Sequence, residues 1–264
     1  MHQTIEDIIN STKKRVECSN KLTPDSNIDK NVTRNIESVI NKTKKEHKVP
    51  IIAEIKPASP GTFNLNVSPR EAAIIAKDMQ QAGATAISVL TETEYFHSSK
   101  KNLESARNES VLPVLRKDFI INENQMDEVQ TDLILLIASI LGDELDRFVS
   151  LALSKGLQPL VEVHNKNELE KALQTSAKLI GINNRNLDTF EINLQTTYNL
   201  APLIKQYDIE NNTHHIIISE SGIYSTDNIK QLIKAGADAL LIGSSIIKSN
   251  NIYNKTKQLV EALE

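Results

Sequence analysis

Residues 50–56 read PIIAEIK, an apolar run that ends in Glu54 and Lys56. The run is short and lacks polar/apolar alternation, which suits a strand buried on both faces of a parallel sheet. Five further runs have the same build: LPVLRKD (112–118), LVEVH (160–164), LIGINNR (179–185), HIIISESG (215–222) and LLIGS (240–244). Each carries a polar or charged residue at or near its carboxyl end. Reactive groups gathered at the carboxyl ends of successive strands predict an α/β fold of the (β/α)8 TIM-barrel type, with an enzyme site at that end.

Working outward, strand and helix patterns alternate from residue 49 onward. Strands are expected near 50–56, 86–90, 112–117, 132–138, 158–163, 179–183, 215–219 and 239–243. Helices are expected at 69–82, 98–108, 122–130, 143–155, 166–174, 193–206, 226–234 and 251–263. Eight of each in strict alternation suit a barrel and not a sandwich. QAGA (81–84), SKG (154–156) and KAGA (234–237) each precede a strand and read as left-handed helix caps of a recurring unit. Residues 1–48 differ, being rich in Lys, Asn, Thr and Glu. Ile5, Ile8, Ile9 and Val16 give them one apolar helical face, and 23–29 reads as a turn. The expected organisation is an N-terminal helical extension over 1–48 packed on a catalytic barrel over 49–264.

A chain of 264 residues with 39% apolar content has the size of one barrel and its core. The balance of 30 basic against 34 acidic residues argues against a nucleic-acid partner, which would need a basic face. Cys18 is the only cysteine, so no internal disulfide forms and a reducing, cytoplasmic compartment is expected. The opening MHQTIEDIIN has acids where a signal peptide needs an apolar stretch. The most apolar window, 133–141, is too short to span a bilayer and reads as a buried strand, so no membrane role is expected.

Glu54 and Lys56 are two residues apart on a strand and share the face of Ile52, which is taken as the barrel interior. Lys117 and Glu162 hold comparable places on the third and fifth strands. Two acids and two lysines in one cavity compensate each other's burial, and a lysine beside another cation is expected to have its pKa lowered, which suits proton transfer. A structural salt-bridge network is the alternative reading of these four charges. A second group comprises Ser59-Pro60-Gly61, Ser221-Gly222 and Gly243-Ser244. Gly/Ser turns after the seventh and eighth strands are the usual phosphate site of a barrel. Asn183 and Arg185 share a strand face suited to a hydroxyl or carboxylate, and Phe119, Tyr95 and Phe96 follow strands where an aromatic ring could be received. No GxGxxG or GxxxxGK is present, and His97 and His164 lack ligand-spaced partners, so neither a nucleotide cofactor nor a metal is expected. A Schiff base at Lys56 or Lys117 stays open on these residues alone.

At these residues the chain resembles the indole-3-glycerol phosphate synthases of tryptophan biosynthesis. The resemblance is carried by IIAEIKPASP (51–60), AISVLTETEYF (86–96), LPVLRKDFI (112–120), LVEVHN (160–165), IGINNRNLDTF (180–190), ISESGI (218–223) and LIGSS (241–245). TIEDIINSTKKRVE (4–17) looks like the family's N-terminal helix, which caps the active-site face. The resemblance implies a carboxy-lyase that converts 1-(o-carboxyphenylamino)-1-deoxyribulose 5-phosphate to indole-3-glycerol phosphate, losing carbon dioxide and water without cofactor or metal. It implies Lys117 as the general acid at the ribulose carbonyl, Glu162 as the acid/base of dehydration, and Lys56 at the substrate carboxylate and as a candidate proton donor to the departing hydroxyl, with the division of acid roles between the two lysines left open. Glu54 would orient and balance the lysines, while Asn183 and Ser221 would position substrate; Arg185 is a substrate-binding candidate by its strand face, with a rim salt bridge as its alternative. Ser59, Gly222, Gly243 and Ser244 would grip the phosphate, and Phe119 would line the anthranilate pocket. A phosphorylated small molecule is thus the expected partner, and a loose association with other tryptophan-pathway enzymes is compatible with the resemblance. The chain departs from the family pattern at Pro57, at Gly61-Thr62 and over 27–48. Another phosphosugar barrel is the competing enzyme reading, but an isomerase of that kind needs a Cys/Asp pair at strand ends, and Cys18 lies in the extension. A non-catalytic barrel should have lost part of the Glu54, Lys56, Lys117 and Glu162 set.

Overall fold

The computed structural model describes residues 2–19, 33–59 and 63–263, without the side chains of residues 18, 19, 59, 63 and 64. The predicted turn at 23–29 therefore lies outside the described residues. Eight parallel strands form a closed barrel. They are β1 (Ile51–Ile55), β2 (Ala86–Leu90), β3 (Val114–Lys117), β4 (Leu133–Ile137), β5 (Gln158–Val163), β6 (Leu179–Asn183), β7 (Ile216–Glu220) and β8 (Ala239–Ile242). Closure is made at β1, where Ile52 pairs with Ala86 on one side and with Leu241 on the other.

The lack of alternation in the strand sequences has a direct cause. Ile52 packs inside the barrel with Leu115, Leu160, Leu179, Ile218 and Leu241. Ile51, Ala53 and Ile55 point outward and pack with Ala76, Met79 and Leu259 of the surrounding helices. Both faces of the strands are thus largely apolar, with Ser88, Arg116 and Ser219 as buried exceptions, and the inward series turns polar at the carboxyl end, at Glu54, Lys117, Glu162, Asn183 and Glu220.

The barrel helices are α3 (Pro69–Gln81), α4 (Lys100–Glu109), α5 (Ala138–Leu141), α6 (Leu145–Ser154), α7 (Lys166–Leu173), α8 (Gln195–Asn211), α9 (Thr226–Lys234), α10 (Ser244–Ile247) and α11 (Ile252–Val260). The repeated helix ends place Gly83 and Gly236 at φ +91° and +111°, as the QAGA and KAGA settings predict. The helix expected over 122–130 is instead a short 3₁₀ helix, Glu123–Asp127. The Gln125 carbonyl, which an α-helix would offer four residues on, accepts from the buried Arg116 guanidinium and from the N–H of Glu128. The helix expected over 193–206 runs on to Asn211 and ends at Asn212, which is left-handed at φ +51°.

Two helices precede the barrel, α1 (Gln3–Ser19) and α2 (Ile36–Lys45). On α1 the buried residues Ile5, Ile8, Thr12 and Val16 follow helical spacing. Arg15 donates to Asp118 Oδ1 at 3.0 Å and to the Thr91 carbonyl, which fixes α1 over the carboxyl ends of the strands. On α2, Ile36 and Ile40 join the barrel-interior cluster from the other end, and the Ile36 N–H donates to Gln158 Oε1. The interior is therefore plugged from below by α2 and roofed by α1.

Candidate active site

The inward series ends in two adjoining chambers. One, of about 200 Å³, is walled by Ile5 and Ile8 of α1, by Leu90, Phe96, Phe119, Leu135 and Ile137, and by Leu187 and Phe190 of the loop after β6. The other, of about 60 Å³, is lined by Ser221, Gly222, Ile223, Tyr224, Gly243, Ser244 and Ser245. Glu54, Lys56, Lys117, Arg185 and Ser221 line both. A charged cluster thus stands between an apolar room and a Gly/Ser room.

Lys117 is the centre of that cluster. Its Nζ donates to Glu220 Oε2 at 2.7 Å and to Glu162 Oε2 at 3.3 Å. Lys56 Nζ pairs with Glu54 Oε1 at 2.9 Å. Glu162 Oε1 accepts from Asn183 Nδ2 at 3.1 Å and lies 3.2 Å from His164 Nε2. The balance expected from sequence, two acids against two lysines, becomes three acids against two lysines, because Glu220 also points inward. Burial acts against every charge here, so the proton distribution follows from which groups have compensation. Burial alone would lower Lys117, but the carboxylates of Glu220, Glu162 and Glu54 outweigh it and hold its pKa above the usual lysine value. The lowering expected from a neighbouring cation does not occur, since the nearest charges are anionic. Burial opposes the Glu162 charge too, yet Lys117 and His164 bring its pKa well below the carboxylate range. Glu220 has Lys117 without a second cation, and burial together with Glu162 pushes it up to about 7.

Two glycines make room for the acids. A Cβ at Gly243 would lie 2.3 Å from Glu54 Oε1, and one at Gly181 would lie 2.4 Å from Glu220 Oε1. In the smaller chamber Ser221 and Gly222 are both left-handed, at φ +66° and +79°. A serine held there costs on the order of 1 kcal/mol, a strain concentrated at the mouth of the site. Arg185 donates to the Phe190 carbonyl at 3.0 Å, which fixes the loop that roofs the larger chamber. The rings of Phe96 and Phe119 are 6.4 Å apart, and Tyr95 packs beside them without lining the cavity.

The structure therefore brings together Glu54, Lys56, Lys117, Phe119, Glu162, Asn183, Arg185, Ser221, Gly222, Gly243 and Ser244. The Ser59 side chain and residues 60–62 lie outside the described residues. Glu220 and His164 were not singled out from the sequence. The alternation rule that selects Glu54 and Glu162 also selects Glu220, two residues after the inward Ile218. His164 had no such signal, because its contact with Glu168 forms across a turn.

The indole-3-glycerol phosphate synthase family model matches residues 5–259. The chain belongs to that family. It is 43% identical over 223 residues to the indole-3-glycerol phosphate synthase of Methanocaldococcus jannaschii, covering 83% of this chain and 80% of that protein. The similarity to the synthase of Aquifex aeolicus is 43% over 215 residues, covering 80% of each. To that of Staphylococcus aureus it is 40% over 230 residues, covering 86% and 85%. The family is one of carboxy-lyases in tryptophan biosynthesis. A solved structure described as native KDPGal matches with a TM-score of 0.58 at 15% identity, over 81% of this chain and 94% of that one, and speaks to the fold alone. Among the described residues no helix is long and apolar enough to cross a membrane.

Proposed function

We propose that this chain catalyses the reaction for which its family is named, with Lys117 as the proton donor. The observation that carries the reading is the place of Lys117: protonated, held by Glu220 and Glu162, and shared between an apolar and a Gly/Ser chamber. A substrate with an aromatic ring at one end and a phosphate at the other spans the two rooms. Its ribulose carbonyl then lies at the charged cluster. Lys117 gives its proton to the carbonyl oxygen as the ring carbon attacks, carbon dioxide leaves to restore aromaticity, and the new hydroxyl then departs as water with a proton from Lys56 while the ionised Glu162 takes the proton the substrate loses. Lys56, held by Glu54, contacts the substrate carboxylate, and Asn183 and Arg185 orient the chain between. Ser221, Gly222, Gly243 and Ser244 take the phosphate, and Ser59 is assigned there by resemblance. Holding both reacting ends supplies roughly 7–11 kcal/mol of the barrier in favourable cases. We also place the chain in the cytoplasm, on its single cysteine and its family, and count a loose association with other enzymes of the pathway as compatible with that setting.

The test is to add the carboxyphenylamino deoxyribulose phosphate to purified protein and follow indole fluorescence. The chain contains no Trp, so the background is low. A rise without added metal or nucleotide is expected. No rise from folded protein would move the assignment to another phosphosugar.

A further inference from the structure

His164 follows β5 two residues after Glu162, where the chain turns toward α7. Its ring lies between two carboxylates, with Nε2 3.2 Å from Glu162 Oε1 and Nδ1 2.9 Å from Glu168 Oε2. Its side chain is only 8% exposed. Glu168 is itself fixed: Oε2 accepts the His164 N–H at 2.9 Å and Oε1 accepts from the Asn165 amide at 2.6 Å. It also stands in the first turn of α7, where the helix dipole favours a carboxylate. Nδ1 is hydrogen-bonded to Glu168, whereas Nε2 stands within ion-pair reach of Glu162 without hydrogen-bond geometry, so the two carboxylates favour the doubly protonated ring chiefly through their charge. Burial opposes that charge, but the two carboxylates outweigh it, and His164 is pushed up to about 10.

The step beyond rests on the reaction assigned above. When Lys117 gives up its proton, Glu162 loses one of its two cationic neighbours at the moment it must act as an acid/base. His164 lines neither chamber, so its charge does not pass to substrate. We propose that His164 is a positioning residue, an imidazolium clamped between Glu162 and Glu168 that keeps Glu162 ionised and aimed while Lys117 changes charge. The charged groups facing the pair are Lys117 on β3, Glu220 on β7 and Glu168 on α7, with Glu54 acting through Lys117. Lys171 of α7 is turned to Asp143 instead.

His164→Gln sets an amide nitrogen near the position of Nε2, which keeps a donor toward Glu162 and removes the charge. Loss of a cation in contact with a carboxylate raises the carboxylate pKa by about 1–3 units. The acidic limb of the kcat profile should therefore move to higher pH by at least about 1 unit, with the plateau and KM near wild type. Glu168→Gln, which leaves β5 intact, should move the limb the same way by less. A uniform loss of kcat with an unmoved limb would reduce His164 to packing and overturn the proposal. A second measurement does not need turnover. In the whole chain labelled with ¹⁵N-histidine, the His164 signal, identified by its absence in His164→Gln, should show both nitrogens protonated at pH 8. A neutral ring at pH 7 would overturn the proposal whatever the activity of the variants. If the wild type turns over no substrate while that signal is cationic, the assigned reaction fails and the clamp stands.

Discussion

Replacing Glu220 by Gln removes a carboxyl that burial pushes up to about 7, against an ordinary value of 4.5. The folded chain then holds a proton that the unfolded chain has released, so the wild type loses stability as pH rises through that interval. Each unit is about 1.4 kcal/mol, which makes the loss about 3 kcal/mol between pH 4.5 and 7. The carboxamide resembles the protonated acid in shape and has nothing to titrate. The two proteins should match near pH 5, and the variant should be the more stable at pH 8. At roughly 2–4 °C per kcal/mol for a chain of this size, the difference in Tm opens by on the order of 6 °C. Turnover should fall at the same time, because Lys117 loses the negative charge 2.7 Å from its Nζ that helps hold its proton. Thermal melts followed by circular dichroism at pH 5 and pH 8, beside the fluorescence assay, read both effects. Melting temperatures that keep a constant separation across that range would refute the raised Glu220 pKa and the proton distribution built on it.

Lys117→Ala should abolish turnover while circular dichroism shows a native barrel; near-normal turnover would remove Lys117 from the acid role. Gly243→Ala sets a Cβ 2.3 Å from Glu54 Oε1 and 3.0 Å from its Cδ, so the carboxylate must move off Lys56. Overpacking of this kind costs about 1–3 kcal/mol, and denaturant titration with parallel kinetics should show both a lower midpoint and a lower kcat. Arg116→Met strips the buried Asp118 and the partly exposed Glu128 of a guanidinium at 2.9 and 2.7 Å. Breaking a buried pair on one side costs about 3–5 kcal/mol, and an unchanged denaturation midpoint would show that Arg15 alone neutralises Asp118.

The barrel was legible because its strands obey a two-sided burial rule that leaves a local trace. A strand with helices outside and side chains inside is apolar along most of its length, and a polar inward residue at its carboxyl end points to the candidate site. That is why Glu54, Lys117, Glu162 and Asn183 were found from their own segments. Glu220 obeys the same rule, but the neighbouring Ser221-Gly222 drew the reading toward phosphate. The 3₁₀ helix at 123–127 was hidden for a different reason. What stops it is Arg116, a residue on a strand that reaches the Gln125 carbonyl from the side. For His164 the sequence excludes a metal-ligand role and offers no other, since Glu168 becomes its neighbour only when the chain turns into α7.

What the sequence by itself determined is therefore the periodic part: eight strand–helix units, the end of the barrel that carries chemistry, and the residue types placed there. Periodicity and residue type are properties of a segment and survive without its neighbours. What the tertiary structure decided is the charge state of the site and the placing of the two N-terminal helices, one over the active-site mouth and one under the barrel. Whether Lys117 keeps its proton depends on three carboxylates from β1, β5 and β7, and Coulomb energy inside a protein depends on distances that only the closed barrel sets.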